Sequence, residues 1–438
     1  MVIFNVSRYL CRRYSSALYI TGDKAQNAYA VLVPLIDFEV SSKKKLEESI
    51  QIRKLSINLS KIEERWSFFK MIEEKKKLLD ETRAFIGKSL EKLIKSDPEN
   101  YEEIEKLKLH LRTVKEDFKH TRELCYGIED SVVLQVLDLP NILHPNTPQN
   151  SELVFYRNHE NVNKLSDSHM TIGEKSNYIK YHNPMVCFLK YDAAQFELGI
   201  QNYFQTLLLK LDYTQFSNSD FARSVVVEGC GMEPSNPSQV FTMENIHCVK
   251  NSVVNRLHLV GAGSLASFMA YFTKHQLQHL PIKLFSIGRI YQPVSDSSKS
   301  FFNLSQTSNV TLFTILEEDR DVLDTITQQI MSIYEKLGYD FRVVLIPARK
   351  LTKAESLRVS IQMFSNHMGE YVEVGGVSFF DDYLSKRLLV NYTLNNERQY
   401  PKIVAGSIVN IHKLLGCVLE NNAATGKSLL TDIIKANL

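Results

Sequence analysis

The segment LVGAGSLAS, Leu259–Ser267, is the part of this sequence that most resembles a phosphate-binding loop. Gly261 and Gly263 fit the loose dinucleotide pattern of glycine, any residue, glycine, any two residues, and glycine or alanine. Glycines at this spacing let backbone N–H groups approach a phosphate closely. A dinucleotide site also needs a preceding strand, a following helix and an acidic residue about 20 positions later, and the sequence does not supply all three. The pattern alone therefore does not predict a nucleotide site.

Other motifs for phosphate or metal chemistry are incomplete. The segment ATGKS near the end resembles part of a P-loop, but Asn421 stands where the first glycine of that loop is required. No two cysteines have the C-x-x-C spacing of zinc sites, and none of their spacings indicates a disulfide framework. The six are Cys11, Cys125, Cys187, Cys230, Cys248 and Cys417. We therefore predict no metal site and no cofactor.

Composition indicates a folded protein of two or three domains. The chain has 438 residues, of which 44% are hydrophobic and 23% charged. A net charge of +2 disfavours a protein that coats nucleic acid, although a local basic surface is compatible with it. No run of 18 apolar residues is present, so we predict no membrane insertion.

The first 22 residues contain no acidic side chain. They carry Arg8, Arg12 and Arg13, together with serines and apolar residues. This composition is typical of a mitochondrial transit peptide, and an ordinary frayed N-terminus is the alternative. We predict that residues 1–22 direct import into the mitochondrial matrix and are then removed.

Two seven-residue repeats on either side of Pro98 predict a helical hairpin. Ile72, Leu79 and Ile86 recur at one position of the first repeat, and Ile104 and Leu111 begin the second. Repeats of similar length around a proline break predict an antiparallel coiled coil about 50 Å long. We assign 40–138 to this arm, 139–150 to a proline-rich linker and 151–438 to a second domain, in which an apolar helix spans 196–211.

The outer faces of the predicted arm carry both signs of charge. One interpretation is a solvated surface stabilised by i,i+4 ion pairs. The other is a surface that contacts the phosphates of an RNA. The candidate RNA-binding residues are Lys75, Lys76, Lys77, Lys88, Lys92, Lys106, Lys108, Arg112 and Lys115.

Five segments, in order, resemble those of seryl-tRNA synthetases. They are LPNILHPNTP after the arm, VVVEGCGMEP, HLPIKLFSIGRIYQP in the place of motif 2, EYVEVGGVSFFDDYLSKRL, and AGSIVNIHKLLGCVLENN in the place of motif 3. From about residue 42 to 438 the chain is similar to a degenerate class II seryl-tRNA synthetase of mitochondrial type. The resemblance implies an α+β fold, in which an antiparallel sheet flanked by helices follows the coiled-coil arm. It also implies dimerisation through motif 1.

The resemblance further implies that substrate ligands are missing. The family has threonine, alanine and glutamate where this chain has Ala262, Gly263 and Ser264, so the glycine-containing loop is interpreted as an eroded serine pocket. In motif 2, Gln292 and Val294 replace the arginine and glutamate that hold ATP. A shifted register would use Arg289, but Tyr291 then replaces the glutamate. A neutral glutamine provides no charged bidentate clamp.

Motif 3 and the segment before it depart from the family in the same way. Lys413 takes the position of an arginine that binds phosphate, without the planar fork of a guanidinium group. Glu373 is retained where the family has a metal- and nucleotide-linked carboxylate. Phe379 would place a ring where the family has an amide, and His412 is interpreted as a helix-surface histidine.

These losses predict a non-catalytic protein without catalytic residues. It would bind tRNA, and serine tRNA above all, or would pair with and stabilise the active mitochondrial seryl-tRNA synthetase; a homodimer is the other form of pairing. Two alternatives stay open, a structural subunit that does not bind RNA and an enzyme with altered nucleotide-dependent activity.

Overall fold

The computed structural model describes residues 16–20, 40–157, 166–243, 256–296, 298–318 and 322–438. These residues form two compact units. Of the described residues, one unit contains 40–43 and 55–139, and the other contains 16–20, 44–54 and those from 140 onward. Most of the predicted transit peptide, residues 1–15 and 21–22, lies outside the described residues.

The smaller unit is a hairpin of two long helices. Helix α1 (Val40–Arg53) precedes it and is divided between the units, whereas α2 (Leu59–Ser96) and α3 (Tyr101–Leu137) form the hairpin itself. Both long helices begin at an asparagine whose side chain accepts a hydrogen bond from the third backbone N–H beyond it, Asn58 from Lys61 and Asn100 from Glu103. The first helix ends just before Pro98, which cannot donate a backbone hydrogen bond.

The predicted repeats form the contact between these helices. Ile72 and Ile86 of α2 and Ile104 and Val114 of α3 are buried. The polar residue Arg83, which interrupts the first repeat, lies with its guanidinium carbon 4.8 Å from the ring centre of Phe118. A cation–π contact thus accommodates a charge in the seam.

The larger unit contains a main sheet, which is mixed but mainly antiparallel, and smaller sheets of two or three strands. The strands are β1 (Leu153–Arg157), β2 (Ile179–Asn183), β3 (Val186–Leu189), β4 (Thr214–Gln215), β5 (Phe221–Arg223), β6 (Phe241–Thr242), β7 (Leu257–Leu259), β8 (Gln276–Leu277), β9 (Ile282–Tyr291), β10 (Gln306–Leu316), β11 (Arg342–Leu345), β12 (Leu357–Ser365), β13 (Glu370–Asp381), β14 (Asn391–Leu394), β15 (Glu397–Gln399) and β16 (Lys402–Asn410). Within the described residues the main sheet has the order β1-β11-β12-β13-β16-β10-β9-β4. Only its last pairing, β4 with β9, is parallel.

Helices cover this sheet. They are α4 (His169–Lys175), α5 (Asp192–Lys210), α6 (Ser224–Gly229), α7 (Leu265–Phe272), α8 (Val322–Leu337), α9 (Tyr383–Leu388), α10 (Ile411–Thr425) and α11 (Asp432–Lys435), with 3₁₀ turns at Phe301–Asn303 and Ala348–Lys350. The apolar side of α5 packs into the core of this chain, where Phe196, Ile200 and Phe204 are fully buried. The predicted α+β fold, a helical arm followed by an antiparallel sheet flanked by helices, is confirmed.

The segment 139–150, predicted as a linker, is hydrogen-bonded to the larger unit. The backbone N–H of Asn141 donates to the carbonyl of Lys353 at 2.7 Å. The side-chain amide of Asn141 donates to the carbonyls of Ala354 and Phe380 at 2.9 and 2.8 Å. A buried asparagine with these partners fixes the start of the second domain.

Candidate substrate cavity

A cavity of about 580 Å³ lies on the main sheet, lined by β9, β10, β12, β13, β16 and the start of α10. It brings together five of the eight residues predicted for the eroded pocket. These are Gly263, Gln292, Val294, Glu373 and Lys413. Ala262, Ser264 and Phe379 are not part of its lining.

A compact ion cluster occupies one wall of the cavity. The guanidinium of Arg358 contacts the carboxylate of Glu373 in a short ion pair and lies 3.6 Å from a carboxylate oxygen of Glu355. Burial lowers the pKa of Arg358, but the two carboxylates more than offset this and the net shift is upward. Hydroxyl groups complete the cluster, because Ser360 donates to Glu373 and Ser378 donates to Glu355. The positive charge of Arg358 is therefore committed to carboxylates of its own chain.

Lys413, at the start of α10, is the second cation in the cavity lining. Its backbone N–H caps the helix by donating to the side chain of Asn410 at 3.1 Å, and its ammonium makes no ion pair within 4.0 Å among the described residues. Burial lowers the pKa of Lys413, while nearby Glu373 raises it and Arg358 lowers it further. An anion in this cavity would thus meet one uncommitted cation.

The floor of the cavity is polar and neutral. Thr311 is buried and its hydroxyl has no hydrogen-bond partner among the described residues. Asn309 is hydrogen-bonded on both sides, donating to Thr307 and accepting from the hydroxyl of Ser407. Thr311 is therefore the floor group with a hydroxyl left to bind a ligand or a water molecule.

The glycine-containing loop is shaped by contact with strand β9. Gly261 has a φ of +93°, and a Cβ there would lie 2.1 Å from the carbonyl oxygen of Arg289. A Cβ on Gly263 would lie 3.2 Å from the carbonyl oxygen of Gly288. Ser264 uses its hydroxyl to cap α7 by accepting from the backbone N–H of Ser267. Close backbone packing, which requires small residues, accounts for these glycines without a phosphate.

The loop has two of the three parts of a dinucleotide site. Strand β7 precedes it and helix α7 follows it. Strand β7, however, pairs antiparallel with both β5 and β6, and no acidic residue occurs between 275 and 290. The interpretation of the dinucleotide pattern as accidental agrees with this environment.

The shifted motif 2 register does not bring an arginine into the cavity. Alternate residues of β9 point to opposite faces of the sheet, so Ile290 lines the cavity and Arg289 does not. The guanidinium of Arg289 instead lies 3.6 Å from the carboxylate of Glu197 on α5. Gln292, the residue of the first register, lines the cavity.

The structure differs from the sequence interpretation at Phe379. The side chains of Ser378 and Phe380 line the cavity, whereas Phe379 points to the other face of β13 and is buried in the hydrophobic core. The period of two along a strand decides this, and an alignment that places one residue opposite another does not show which face it occupies.

The expectation that His412 is a surface residue is wrong. Its side chain is 2% exposed, and its Nδ1 accepts a hydrogen bond from the backbone N–H of Ser308 at 3.2 Å. Burial lowers the pKa of His412 to about 4, so the ring is neutral at pH 7. The apolar residues one position before it and two positions after it in α10, Ile411 and Leu414, were a usable signal.

Sequence analysis also missed a buried polar cluster around Glu420. Its carboxylate accepts from His169 Nδ1 at 2.7 Å, from the hydroxyl of Ser365 at 2.6 Å and from the backbone N–H of His367 at 3.2 Å. Nε2 of His169 in turn accepts from the backbone N–H of Phe301 at 3.1 Å, which occupies the lone pair that a general base would need. This cluster ties α4, α10 and β12 together and performs no proton transfer in this arrangement.

Comparison with known proteins agrees with the fold described above and with the predicted resemblance to seryl-tRNA synthetases. Residues 253–422 match the tRNA synthetase class II core domain (G, H, P, S and T). The chain is 27% identical over 426 residues to the serine–tRNA synthetase-like protein Slimp of Drosophila melanogaster, covering 94% of this chain and 90% of that protein. It is 24% identical over 452 residues to the mitochondrial serine–tRNA ligase of Mus musculus, covering 96% and 85%.

Solved structures of seryl-tRNA synthetases have a similar fold. The cytoplasmic serine–tRNA ligase of Naegleria fowleri, in complex with AMP, superposes with a TM-score of 0.74 at 17% identity, covering 90% of this chain and 93% of that one. The seryl-tRNA synthetase of Pyrococcus horikoshii, complexed with ATP, gives 0.73 at 14%, covering 88% and 94%. The chain has the fold of a seryl-tRNA synthetase. The resemblance predicted from its motifs is confirmed.

The candidate RNA-binding cations on the helical hairpin of this seryl-tRNA synthetase-like chain fall into two groups, those with a nearby partner and those without an ion pair. Lys106 and Lys108 pair with glutamates one turn earlier, at 2.7 and 3.0 Å, and Lys76 is half-buried with its ammonium 4.0 Å from Sγ of Cys125. The remaining six are exposed and make no ion pair within 4.0 Å in the part of the chain that the structure describes. They are Lys75, Lys77, Lys88, Lys92, Arg112 and Lys115.

The described residues contain neither a metal-ligand cluster nor a membrane-spanning helix. No cluster of three or more histidine, cysteine, aspartate or glutamate side chains that could hold a metal ion occurs among them. Nor does any of their helices combine the length and the apolar character that crossing a membrane requires.

Proposed function

We propose that this protein does not activate serine and acts as a tRNA-binding relative of the seryl-tRNA synthetases. The small number of cations in the described cavity lining supports the proposal that serine is not activated. Arg358 and Lys413 are the cations of its described lining, and Arg358 is committed to Glu373 and Glu355. Adenylate formation concentrates negative charge on a phosphate, which preorganised arginines stabilise. Lys413 alone is a poor substitute, because it is one compact charge without a guanidinium fork.

The carboxylates of the cavity support the same conclusion. A substrate ammonium group or a divalent metal would need a carboxylate with free lone pairs. Glu373 already accepts from Arg358 and Ser360, and Glu355 accepts from Ser378 and from the backbone N–H of Thr352. A cation bound here would either lie beside the positive charge of Arg358 and be repelled, or displace Arg358 and cost its ion pairs.

The helical arm supports tRNA binding. Six exposed cations, without carboxylate partners among the described residues, lie on two helices that pack against each other, so the arm presents them on a stiff support. Such cations bind phosphates with little base specificity, and binding follows the shape of the RNA. Because the arm and the cavity draw on different residues, loss of catalysis does not require loss of RNA binding.

We place the protein in the mitochondrial matrix. The acid-free, arginine-containing start of the sequence supports import. Mitochondrial serine–tRNA ligases of mouse and cattle are among its relatives.

We further propose pairing with a second copy or with the mitochondrial seryl-tRNA synthetase. Because the apolar face of α5 is used within this chain, support comes from side chains around β3. Met185, Phe188 and Tyr191 are 59%, 53% and 66% exposed, and Leu198 on α5 is 49% exposed. Exposed apolar groups of this size favour a protein partner.

Two measurements on the purified protein test the proposal. Serine-dependent exchange of pyrophosphate into ATP should stay at background, and exchange above background would establish the altered or residual enzyme instead. Titration with tRNA at two salt concentrations should show binding that weakens as salt rises. Absence of binding at low salt would leave the structural partner subunit as the better description.

A further inference from the structure

The segment Ser16–Ile20 is docked on the folded domain although it lies inside the predicted leader. The carboxylate of Glu228, on α6, accepts hydrogen bonds from the hydroxyl of Ser16 at 2.6 Å, from the backbone N–H of Ala17 at 2.6 Å and from that of Leu18 at 3.1 Å. The hydroxyl of Ser16 also accepts from the backbone N–H groups of Leu18 and Tyr19. One carboxylate and one hydroxyl thus fix the backbone of three successive residues.

Apolar burial accompanies these hydrogen bonds. Ala17 is 0% exposed, Leu18 is 1% exposed and Ile20 is 8% exposed. Leu18 is among the largest fully buried side chains of the chain. A segment that is to be discarded would leave a hole of this size in the core, and the surroundings would lose its contacts.

Glu228 depends on the same segment. Burial raises the pKa of Glu228, whereas the hydrogen bonds from Ser16, Ala17 and Leu18 lower it. Without residues 16–20 this largely buried carboxylate would lose those three donors. An acceptor in that condition destabilises the fold.

We infer that Ser16–Ile20 belongs to the mature protein, and that processing on import cuts the chain before Ser16 and not near residue 22. The inference rests on the proposed mitochondrial import. Processing is hydrolysis of one peptide bond, in which the oxygen of water adds to the carbonyl carbon as the C–N bond breaks and the two protons of that water end on the nitrogen, leaving a carboxylate on the leader and a new N-terminal ammonium on the mature chain. The three arginines of the predicted leader, Arg8, Arg12 and Arg13, all precede this boundary.

The first test is the N-terminus of the protein recovered from the matrix after import of the full chain, read by N-terminal sequencing and intact mass. We expect it at or before Ser16. A mature N-terminus beyond Ser16, such as Gly22, would overturn the inference. If no import occurs, the proposed location fails while the docking of residues 16–20 is still decided by the second test.

The second test measures thermal unfolding of recombinant chains. In the full chain, Glu228→Gln and Ser16→Ala should each lower the midpoint, and the double variant should lower it by less than the sum of the two, because both changes remove the same contact. A chain starting at Ser16 should have the same unfolding midpoint as the full chain. A chain starting at Gly22 should have a lower midpoint or fail to fold. The segment would be a passive leader if Ser16→Ala left the midpoint unchanged and the chain starting at Gly22 melted with the full chain.

Discussion

The helical arm and the cavity use similar charged residues in opposite ways. On the arm, cations such as Lys75 and Lys92 face solvent without a carboxylate partner in the described residues. In the cavity, Arg358 is held by Glu373 and Glu355. An exposed, unpaired cation is available to a polyanion, whereas a cation in a buried cluster is unavailable until the cluster is broken.

The difference indicates how RNA binding could persist if catalysis were lost, as proposed above. Catalysis depends on a few groups fixed at specific distances, so two or three substitutions remove it. Binding of an RNA backbone depends on the summed charge of a surface, and single changes alter it by small steps. The two regions should therefore respond differently to pH, to salt and to substitution.

The largest expected effect is the pH dependence of the larger unit. The pKa of His412 is about 4 when folded, because it is buried, against an ordinary value near 6.5. The unfolded chain therefore binds more protons between these values, and stability is lost as pH falls from 6.5 to 4. We expect this histidine to contribute a loss of about 3 kcal/mol over that range.

Urea unfolding at pH 7 and at pH 4.5 checks this. His412→Gln should reduce the pH dependence, and the matched change His110→Gln, on an exposed residue of α3, should leave it unaltered. His258, whose pKa is also lowered to about 4 by burial, should retain part of the dependence. Equal pH profiles for the parent and His412→Gln would contradict the buried, neutral ring.

The second effect concerns the unpaired cations of the arm. Changing Lys75, Lys77, Lys88 and Lys92 to alanine should weaken tRNA binding by about 10- to 100-fold at low salt, and each lost phosphate contact should lower the salt slope by about 0.7–0.9. Filter binding or fluorescence titration at two salt concentrations measures both. A matched variant changes four paired lysines, Lys70, Lys95, Lys106 and Lys108, and should show a smaller effect, because a neighbouring glutamate already offsets the charge of each. Equal behaviour of the parent and both variants would favour a solvated spacer.

The arm and part of the cavity could be predicted from the sequence, and particular residues show why the rest could not. The heptads of the arm and the segments around Gln292 and Lys413 are local patterns, so they predicted the hairpin and five residues of the cavity lining. Side-chain direction is a property of the folded strand, which is why Phe379 was placed on the wrong face. The cluster around Arg358 joins residues on β12 and β13, and no short-range pattern connects them.

The third effect is a loss of folding stability when the ion cluster of the cavity is broken. Arg358→Gln leaves Glu355 and Glu373 without their cation, and we expect a loss of about 1–3 kcal/mol. Adding Glu373→Gln should recover part of it, because a neutral pair no longer requires a counter-charge. Urea unfolding of the two single variants and the double variant gives the coupling. Strictly additive losses would mean that the two residues do not depend on each other.

The smallest expected effect tests whether the cavity contributes to RNA binding at all. Lys413→Met keeps the length and apolar stem of the side chain and removes the one uncommitted cation of the described cavity lining. If RNA is held by the arm alone, the affinity for tRNA and its salt slope should stay within about twofold of the parent, since a lost phosphate contact would lower the slope by about 0.9. Stability should change by no more than about 1 kcal/mol, because the lysine is half-buried and unpaired and its neutral replacement relieves the burial of a charge. The informative measurement is the same two-salt titration, with Arg112→Met on the arm as the matched loss of an exposed cation. A weaker affinity and a flatter slope for Lys413→Met, equal to those for Arg112→Met, would show that the cavity also receives part of the RNA, and the separation between a binding arm and an inactive cavity would no longer hold.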